Sequence, residues 1–179
     1  MYGYEKRKKV TEMNTEKFDI FTYERYFNDG RCIIKNDTET ICLFEVDGEF
    51  GKKIEPNEPD SICTQIMYNQ DTLMVSCIGQ YIKGWNIEVG VWREYDKFGE
   101  VVYEDDKDKH YPIKWEDMLE RFRANGINPD EITMLKRSKN RQSDRYEWML
   151  TLTPEPKVSE IVRFDAETGE ITERIKETL

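Results

Sequence analysis

The first half of the chain alternates between short apolar runs and polar turn residues, as β-rich domains do. Aromatic and β-branched side chains dominate the runs, whereas Asn, Asp, Gly and Pro separate them. The pattern predicts an antiparallel meander with strands at residues 18–23, 31–34, 40–46, 62–68, 73–78, 91–95 and 100–104. Residues 1–14 show no apolar period and are expected to form a flexible lead-in.

Turn residues between these runs support the strand assignment. Asn28-Asp29-Gly30 and Asp47-Gly48 predict hairpin turns, because these residue types tolerate a positive φ. Residues 55–60 contain two prolines, which cannot donate to a β-ladder, so this polar segment predicts an exposed loop.

The periodicity changes after Asp108, where the pattern becomes helical. Residues 112–125 predict a helix, because four apolar side chains share one face and Gly126 follows as a stop. The four side chains are Trp115, Met118, Leu119 and Phe122. We expect this face to be buried against a sheet.

A second short helix and three strands are predicted after Gly126. Ile132 and Leu135 are spaced as on one helix face, after a start at Pro129 or Asp130 with Asn128 as the cap. A solvated loop at residues 136–144 and strands at residues 146–152, 158–165 and 170–176 follow.

These elements together predict an α+β fold in which an antiparallel, β-rich N-terminal meander precedes a helix packed on a three-stranded antiparallel sheet. The corresponding regions are a lead-in at residues 1–14, a β-rich region at 15–108 and an α+β unit at 109–179.

The charge of the chain restricts its partners. It has 37 acidic and 27 basic residues and a formal net charge of -10. Such a field repels phosphate backbones and anionic membranes, so we expect neither nucleic acid nor membrane as a partner. The basic run at residues 6–9 is interpreted as a solvated end. An acidic surface suits a basic protein partner, and it also serves solubility.

Cysteine and histidine usage predicts no metal site. Cys32, Cys42, Cys63 and Cys77 lie at irregular spacings in apolar runs, and the chain has one histidine. Zinc sites require closely spaced ligands, so we expect reduced, buried cysteines and folding without metal or cofactor. No signal-like apolar segment follows the start, which favours the cytoplasm and leaves open a form whose leader has been removed.

No pattern of catalytic residues is evident. His110 carries an imidazole, a side chain that often transfers protons in enzymes, but no nucleophile motif accompanies it. Residues 104–108 lack the spaced ligands and central glycine of a calcium loop. Residues 47–53 lack the spacing and hydroxyl residue of a phosphate-binding loop. These observations favour a non-catalytic protein.

Glycine and aromatic residues recur around a predicted turn in residues 79–101, at Gly79, Gly84, Trp92, Tyr95 and Gly99. Asp96-Lys97-Phe98-Gly99 reads as the turn before a return strand. The segment resembles a MORN-type repeat hairpin.

Near the end of the chain, Asp165-Ala166-Glu167-Thr168-Gly169-Glu170 forms an Asp-x-x-Thr-Gly-Glu turn motif between two predicted strands. With the preceding helix, residues 112–176 resemble a PepSY-type unit. That resemblance implies binding or inhibition without catalytic residues.

The MORN-like hairpin, the acidic linker at residues 104–108 and the PepSY-like unit together resemble bacterial immunity proteins of polymorphic or contact-delivered toxin systems. The resemblance implies an antitoxin that neutralises a cognate protein toxin by direct binding. Its acidic side chains would contact a basic surface of the toxin. The expected contact residues are Asp96, Glu100, Tyr103, Glu104, Asp105, Asp106, Asp108 and Tyr111.

Two other hypotheses stay open at the level of sequence. One is a small-molecule enzyme or ligand-binding protein with a pocket between the two halves. The other is a structural adaptor that uses its sheet edges.

Overall fold

The computed structural model describes residues 14–155 and 158–178 of the 179-residue chain, so residues 1–13 of the predicted lead-in lie outside the described residues. The fold is α+β and rich in strands, as predicted. Its elements are α1 (Ile20–Tyr26), β1 (Arg31–Lys35), β2 (Glu39–Val46), β3 (Glu49–Pro56), β4 (Ile62–Asn69), β5 (Val75–Ile82), β6 (Ile87–Tyr95), β7 (Val101–Asp106), α2 (Trp115–Ala124), a 3-10 turn (Pro129–Glu131), β8 (Ile132–Lys139), β9 (Tyr146–Glu155), β10 (Val158–Asp165) and β11 (Ile171–Thr178).

Strands β1 to β7 form one antiparallel sheet in which every strand neighbours the next in sequence, so the predicted meander is confirmed. The β2–β3 turn shows why the chain reverses there. Asp47 and Gly48 have φ values of 51° and 79°, and two successive positive φ values match the twist of a hairpin. Strand β3 was not among the predicted strands, and it extends to Pro56, so the predicted exposed loop also starts later than expected.

The first predicted strand, at residues 18–23, is wrong because this segment contains helix α1. The aromatic and β-branched content suggested a strand, but Asp19 is a helix cap whose Oδ1 accepts a hydrogen bond from the Thr22 amide at 3.0 Å. Tyr23 is buried, whereas Phe21 is exposed. Local capping therefore overrides strand propensity here.

Two compact units are formed by interleaved segments of the chain. The first draws on residues up to Asn57, Thr64–Gly79 and Trp92–Asp105, and the second on Glu58–Cys63, Gln80–Val91 and the chain from Asp106. The predicted regions 15–108 and 109–179 follow chain order instead.

The first unit has an aromatic core. Phe18 stacks on Phe50 with ring centroids 4.6 Å apart and contacts Tyr23 and Tyr68 at 5.6 Å and 5.3 Å. Cys32 is buried beside these rings, where burial raises the pKa of its thiol. Cys32 is therefore a small hydrophobe in the core.

In the second unit, α2 buries the predicted face. Trp115, Met118, Leu119 and Phe122 are all buried, and they join one core cluster with Trp148 and other residues of the second sheet. The helix ends where predicted, because the Gly126 amide donates a hydrogen bond to the Arg123 carbonyl at 3.0 Å.

The second sheet has four strands, in the order β11-β10-β9-β8, so the prediction of three strands is wrong. The additional strand β8 occupies the segment predicted as a short helix and a loop. A register shift between Ile132 and Met134 spaces the buried residues Ile132 and Leu135 three apart, which mimics a helical period. After the shift, Arg137 and Lys139 occupy the alternate positions that follow Leu135. Apolar residues at these positions would have made the two-residue period of a strand visible in the sequence.

Glycine lies beneath an aromatic ring at two places in the first unit. Phe44 of β2 is paired directly with Gly51 of β3, and a Cβ built at Gly51 would overlap the Phe44 ring. A Cβ at Gly79 of β5 would likewise overlap the indole of Trp92 in β6. The absence of a side chain is what lets each ring approach the neighbouring backbone.

Gly79→Ala is expected to lower the free energy of unfolding by about 1–3 kcal/mol, because the new methyl group displaces the Trp92 ring. Urea denaturation measures the change. Ser76→Thr, at a half-buried position of the same strand, is the control, because it adds one methyl group and keeps the hydroxyl that donates to the Glu49 carboxylate at 3.0 Å. A Gly79→Ala protein as stable as the wild type would contradict the close approach.

Candidate protein-binding surface

The turn between β6 and β7 is built by Asp96. Its Oδ1 accepts the backbone amides of Phe98 and Glu100 at 2.8 Å and 2.9 Å, and its carbonyl accepts the Gly99 amide at 3.0 Å. Gly99 has a φ of 81°, which an L side chain rarely adopts. The turn predicted at residues 96–99 is confirmed, and Asp96 has a structural role in it.

Strand β7 is an edge of the seven-stranded sheet and presents apolar as well as acidic side chains. Val102 is 62% exposed and Tyr103 is 54% exposed, and Glu100 and Glu104 are exposed beside them. We call these four residues the acidic edge. An edge strand with apolar side chains offers both backbone groups and contact area to a partner.

The hairpin carrying the acidic edge is itself negative. Between Trp92 and Asp105, five carboxylates, at Glu94, Asp96, Glu100, Glu104 and Asp105, outnumber two cations, Arg93 and Lys97. The Arg93 Nε lies 2.7 Å from the Glu104 carboxylate, and this hydrogen bond raises the pKa of Arg93. The pair is well exposed, so salt screens it and water competes for it.

The remaining predicted contact residues belong to the second unit or are less exposed. Asp105 is half-buried. Asp106 is exposed and accepts the Asp108 amide at 3.0 Å, so it shapes the turn after β7. Asp108 accepts the Gly90 amide at 2.9 Å and Arg137 Nη1 at 2.7 Å. Asp108 therefore holds its own unit together.

Arg137 is the partner of Asp108 and was missed by sequence reasoning, which assigned residues 136–144 to a solvated loop. Its side chain is only 9% exposed. The guanidinium carbon lies 4.5 Å from the Tyr111 ring centroid and 4.3 Å from that of Trp148, so two rings enclose the cation. Burial lowers the pKa of Arg137, although Asp108 opposes the shift.

Tyr111 lies inside this arrangement and is buried. Its ring packs edge-on against Trp148 at 5.7 Å, and its hydroxyl donates to the Ser138 carbonyl at 3.3 Å. Burial raises the pKa of Tyr111 to about 12. Such a side chain offers little contact area, so Tyr111 is not included in the candidate binding surface.

His110 lies at a cleft of about 670 Å³ in the second unit. Its ring stacks on Tyr146 at 4.0 Å with the two planes 6° apart. Asp165 also lines the cleft, where amide hydrogen bonds from Thr168 and Glu167 lower its pKa despite burial, and Arg145 lies 3.5 Å from it. The cleft combines a planar stacking surface with charges of both signs.

Residues 14–155 and 158–178 contain no group of three or more His, Cys, Asp or Glu placed to hold a metal ion. Over the same residues, no helix is long and apolar enough to cross a membrane.

Comparison with known proteins identifies no relative: no family model, no curated protein and no solved structure matches the chain.

Proposed function

We propose that this protein is a non-catalytic binding protein of the bacterial immunity type, which neutralises a cognate toxin in the cytoplasm by direct contact. The acidic edge is the proposed docking surface, and the partner is a protein with a basic surface. The observation that carries the proposal is the exposure of Val102 and Tyr103 on an edge strand flanked by Glu100 and Glu104.

Apolar and charged groups have different tasks in this surface. Exposed carboxylates accelerate encounter with a basic partner but contribute little affinity, because water and salt screen them. A half-exposed tyrosine is a typical anchor, since burying it on binding removes a large apolar area from water while its hydroxyl can keep a hydrogen bond. Tyr103 therefore supplies affinity, and Glu100 and Glu104 supply orientation and association rate.

The experiment co-expresses the protein with toxin-like products of adjacent genes and measures growth, co-purification and binding kinetics. We expect the wild type to rescue growth. Glu100→Lys/Glu104→Lys is expected to slow association about tenfold or more at low salt, with a smaller effect at high salt. Tyr103→Ala is expected to weaken binding by about 2 kcal/mol, mainly through faster dissociation.

The matched control is Glu116→Lys/Glu120→Lys, which makes the same charge change on exposed residues of α2. It tests whether net charge alone slows association. If wild-type protein neither rescues growth nor co-purifies with any such product, the proposed function is wrong. If the control slows association as much as Glu100→Lys/Glu104→Lys does, the function stands and the surface is wrong.

A further inference from the structure

The seven-stranded sheet has a second edge strand, β1, and among residues 14–155 and 158–178 the backbone hydrogen bonds on its outer side are made at Arg31. The Asn28 amide donates to the Arg31 carbonyl at 2.9 Å, and the Arg31 amide donates to the Asn28 carbonyl at 3.3 Å. Arg31 therefore directs its backbone groups away from β2. Residues two apart in an antiparallel strand direct these groups to the same side, so Ile33 and Lys35 present theirs along the outer edge.

Strand β1 is also apolar at its surface. Ile33 is 48% exposed and Ile34 is 38% exposed, although both are large hydrophobic side chains. Long exposed apolar edges favour pairing with another strand, and proteins usually prevent this with charged residues. The charges present on the two edges of this sheet therefore decide which strand can pair with which.

The two edges carry opposite charges. Strand β1 reads Arg31-Cys32-Ile33-Ile34-Lys35, with two cations and no acid, whereas β7 reads Val-Val-Tyr-Glu-Asp-Asp from Val101, with three acids and no cation. Like charges facing each other across a strand pair are destabilising, and opposite charges are stabilising. Pairing of β1 with β1, or of β7 with β7, is disfavoured, while pairing of β1 with β7 is favoured.

We propose that copies of this chain associate head to tail, with the β1 edge of one copy paired to the β7 edge of the next. The exposed pair Ile33 and Ile34 then meets Val102 and Tyr103, and Arg31 and Lys35 face the acids of β7. Two different surfaces meet in this contact, so association does not stop at a dimer and continues into rings or open chains.

This association goes beyond the proposed function and uses one of its surfaces. A basic toxin bound at the acidic edge occupies β7 and ends a growing chain of copies at that point. Toxin binding and self-association can be tested separately, because self-association is measured on the purified protein without any toxin. A purely monomeric protein leaves toxin binding standing, and a failure to neutralise any toxin leaves self-association standing.

The experiment is sedimentation velocity of the purified protein over a wide concentration range at about 0.05 M and about 1 M salt, where the screening length falls to about 3 Å. We expect species larger than a dimer that grow with concentration and decline at high salt. Arg31→Glu/Lys35→Glu makes both edges acidic, and Glu100→Lys/Glu104→Lys replaces the two carboxylates of the acidic edge with cations. Each variant alone is expected to associate at least about tenfold more weakly than the wild type.

The decisive measurement mixes these two variants. In the mixture, the native β7 edge of the Arg31→Glu/Lys35→Glu variant meets the native β1 edge of the Glu100→Lys/Glu104→Lys variant. The mixture is therefore expected to associate again. Renewed association would also show that both variants fold. Glu116→Lys/Glu120→Lys, changed on α2, is expected to associate as the wild type does. A wild type that is monomeric at all concentrations, or a mixture that stays monomeric while circular dichroism shows both variants folded, overturns the proposal.

Discussion

Phe122→Ala is expected to lower the free energy of unfolding by about 3–5 kcal/mol, the range for removing a large aromatic side chain from a core. Phe122 has no exposed surface. Its ring lies 5.1 Å from that of Phe164 in β10 and 6.1 Å from that of Trp115, so the substitution leaves a cavity lined by rings that relax only partly.

Urea denaturation followed by tryptophan fluorescence measures this loss. Glu120→Ala, two residues earlier on the exposed side of α2, is the control and is expected to change stability by less than about 0.5 kcal/mol. A loss below about 1 kcal/mol for Phe122→Ala would show that the helix does not pack on the sheet as described.

Arg137→Ala is expected to cost about 2–4 kcal/mol. Breaking a fully buried ion pair costs about 3–5 kcal/mol, and the 41% exposure of the Asp108 side chain reduces that figure. The substitution also removes the cation from between Tyr111 and Trp148, and it removes the donor to the Glu88 and Lys107 carbonyls, each at 3.3 Å.

Arg137→Lys separates the effect of charge from that of shape. Lysine keeps the charge but lacks the planar group that stacks between two rings and donates to several acceptors, so we expect it to recover less than half of the loss. Lys136→Ala, at an exposed neighbouring position, is the control in the same denaturation assay. Full recovery by lysine would mean that stacking contributes nothing measurable.

The helix and most strands could be predicted because their apolar periods are undisturbed. In α2, burial follows the spacing of Trp115, Met118, Leu119 and Phe122 along the chain. Strand β8 could not be predicted in this way, since a register shift changes its period and Arg137 occupies an inward position. Helix α1 was missed because the side chain of Asp19, a single residue, determines where it starts.

The candidate surface was predictable only where exposure follows from a turn and an edge strand. Glu100, Tyr103 and Glu104 fulfil this condition. Asp108 and Tyr111 belong to the same acidic and aromatic stretch of sequence, yet both contact Arg137, which lies far along the chain. Local sequence cannot distinguish a carboxylate offered to a partner from one that holds a buried cation.

The rings lying over Gly51 and Gly79 restrict how this sequence can evolve. A side chain can be gained at either glycine without a loss of stability only after its partner, Phe44 or Trp92, has become smaller, so the order of the two substitutions matters. If the glycine changes first, the intermediate protein carries the overlap between the new side chain and the aromatic ring. Each glycine and its aromatic neighbour should therefore show strong epistasis and change together in divergent lineages, even where the surrounding surface residues drift freely.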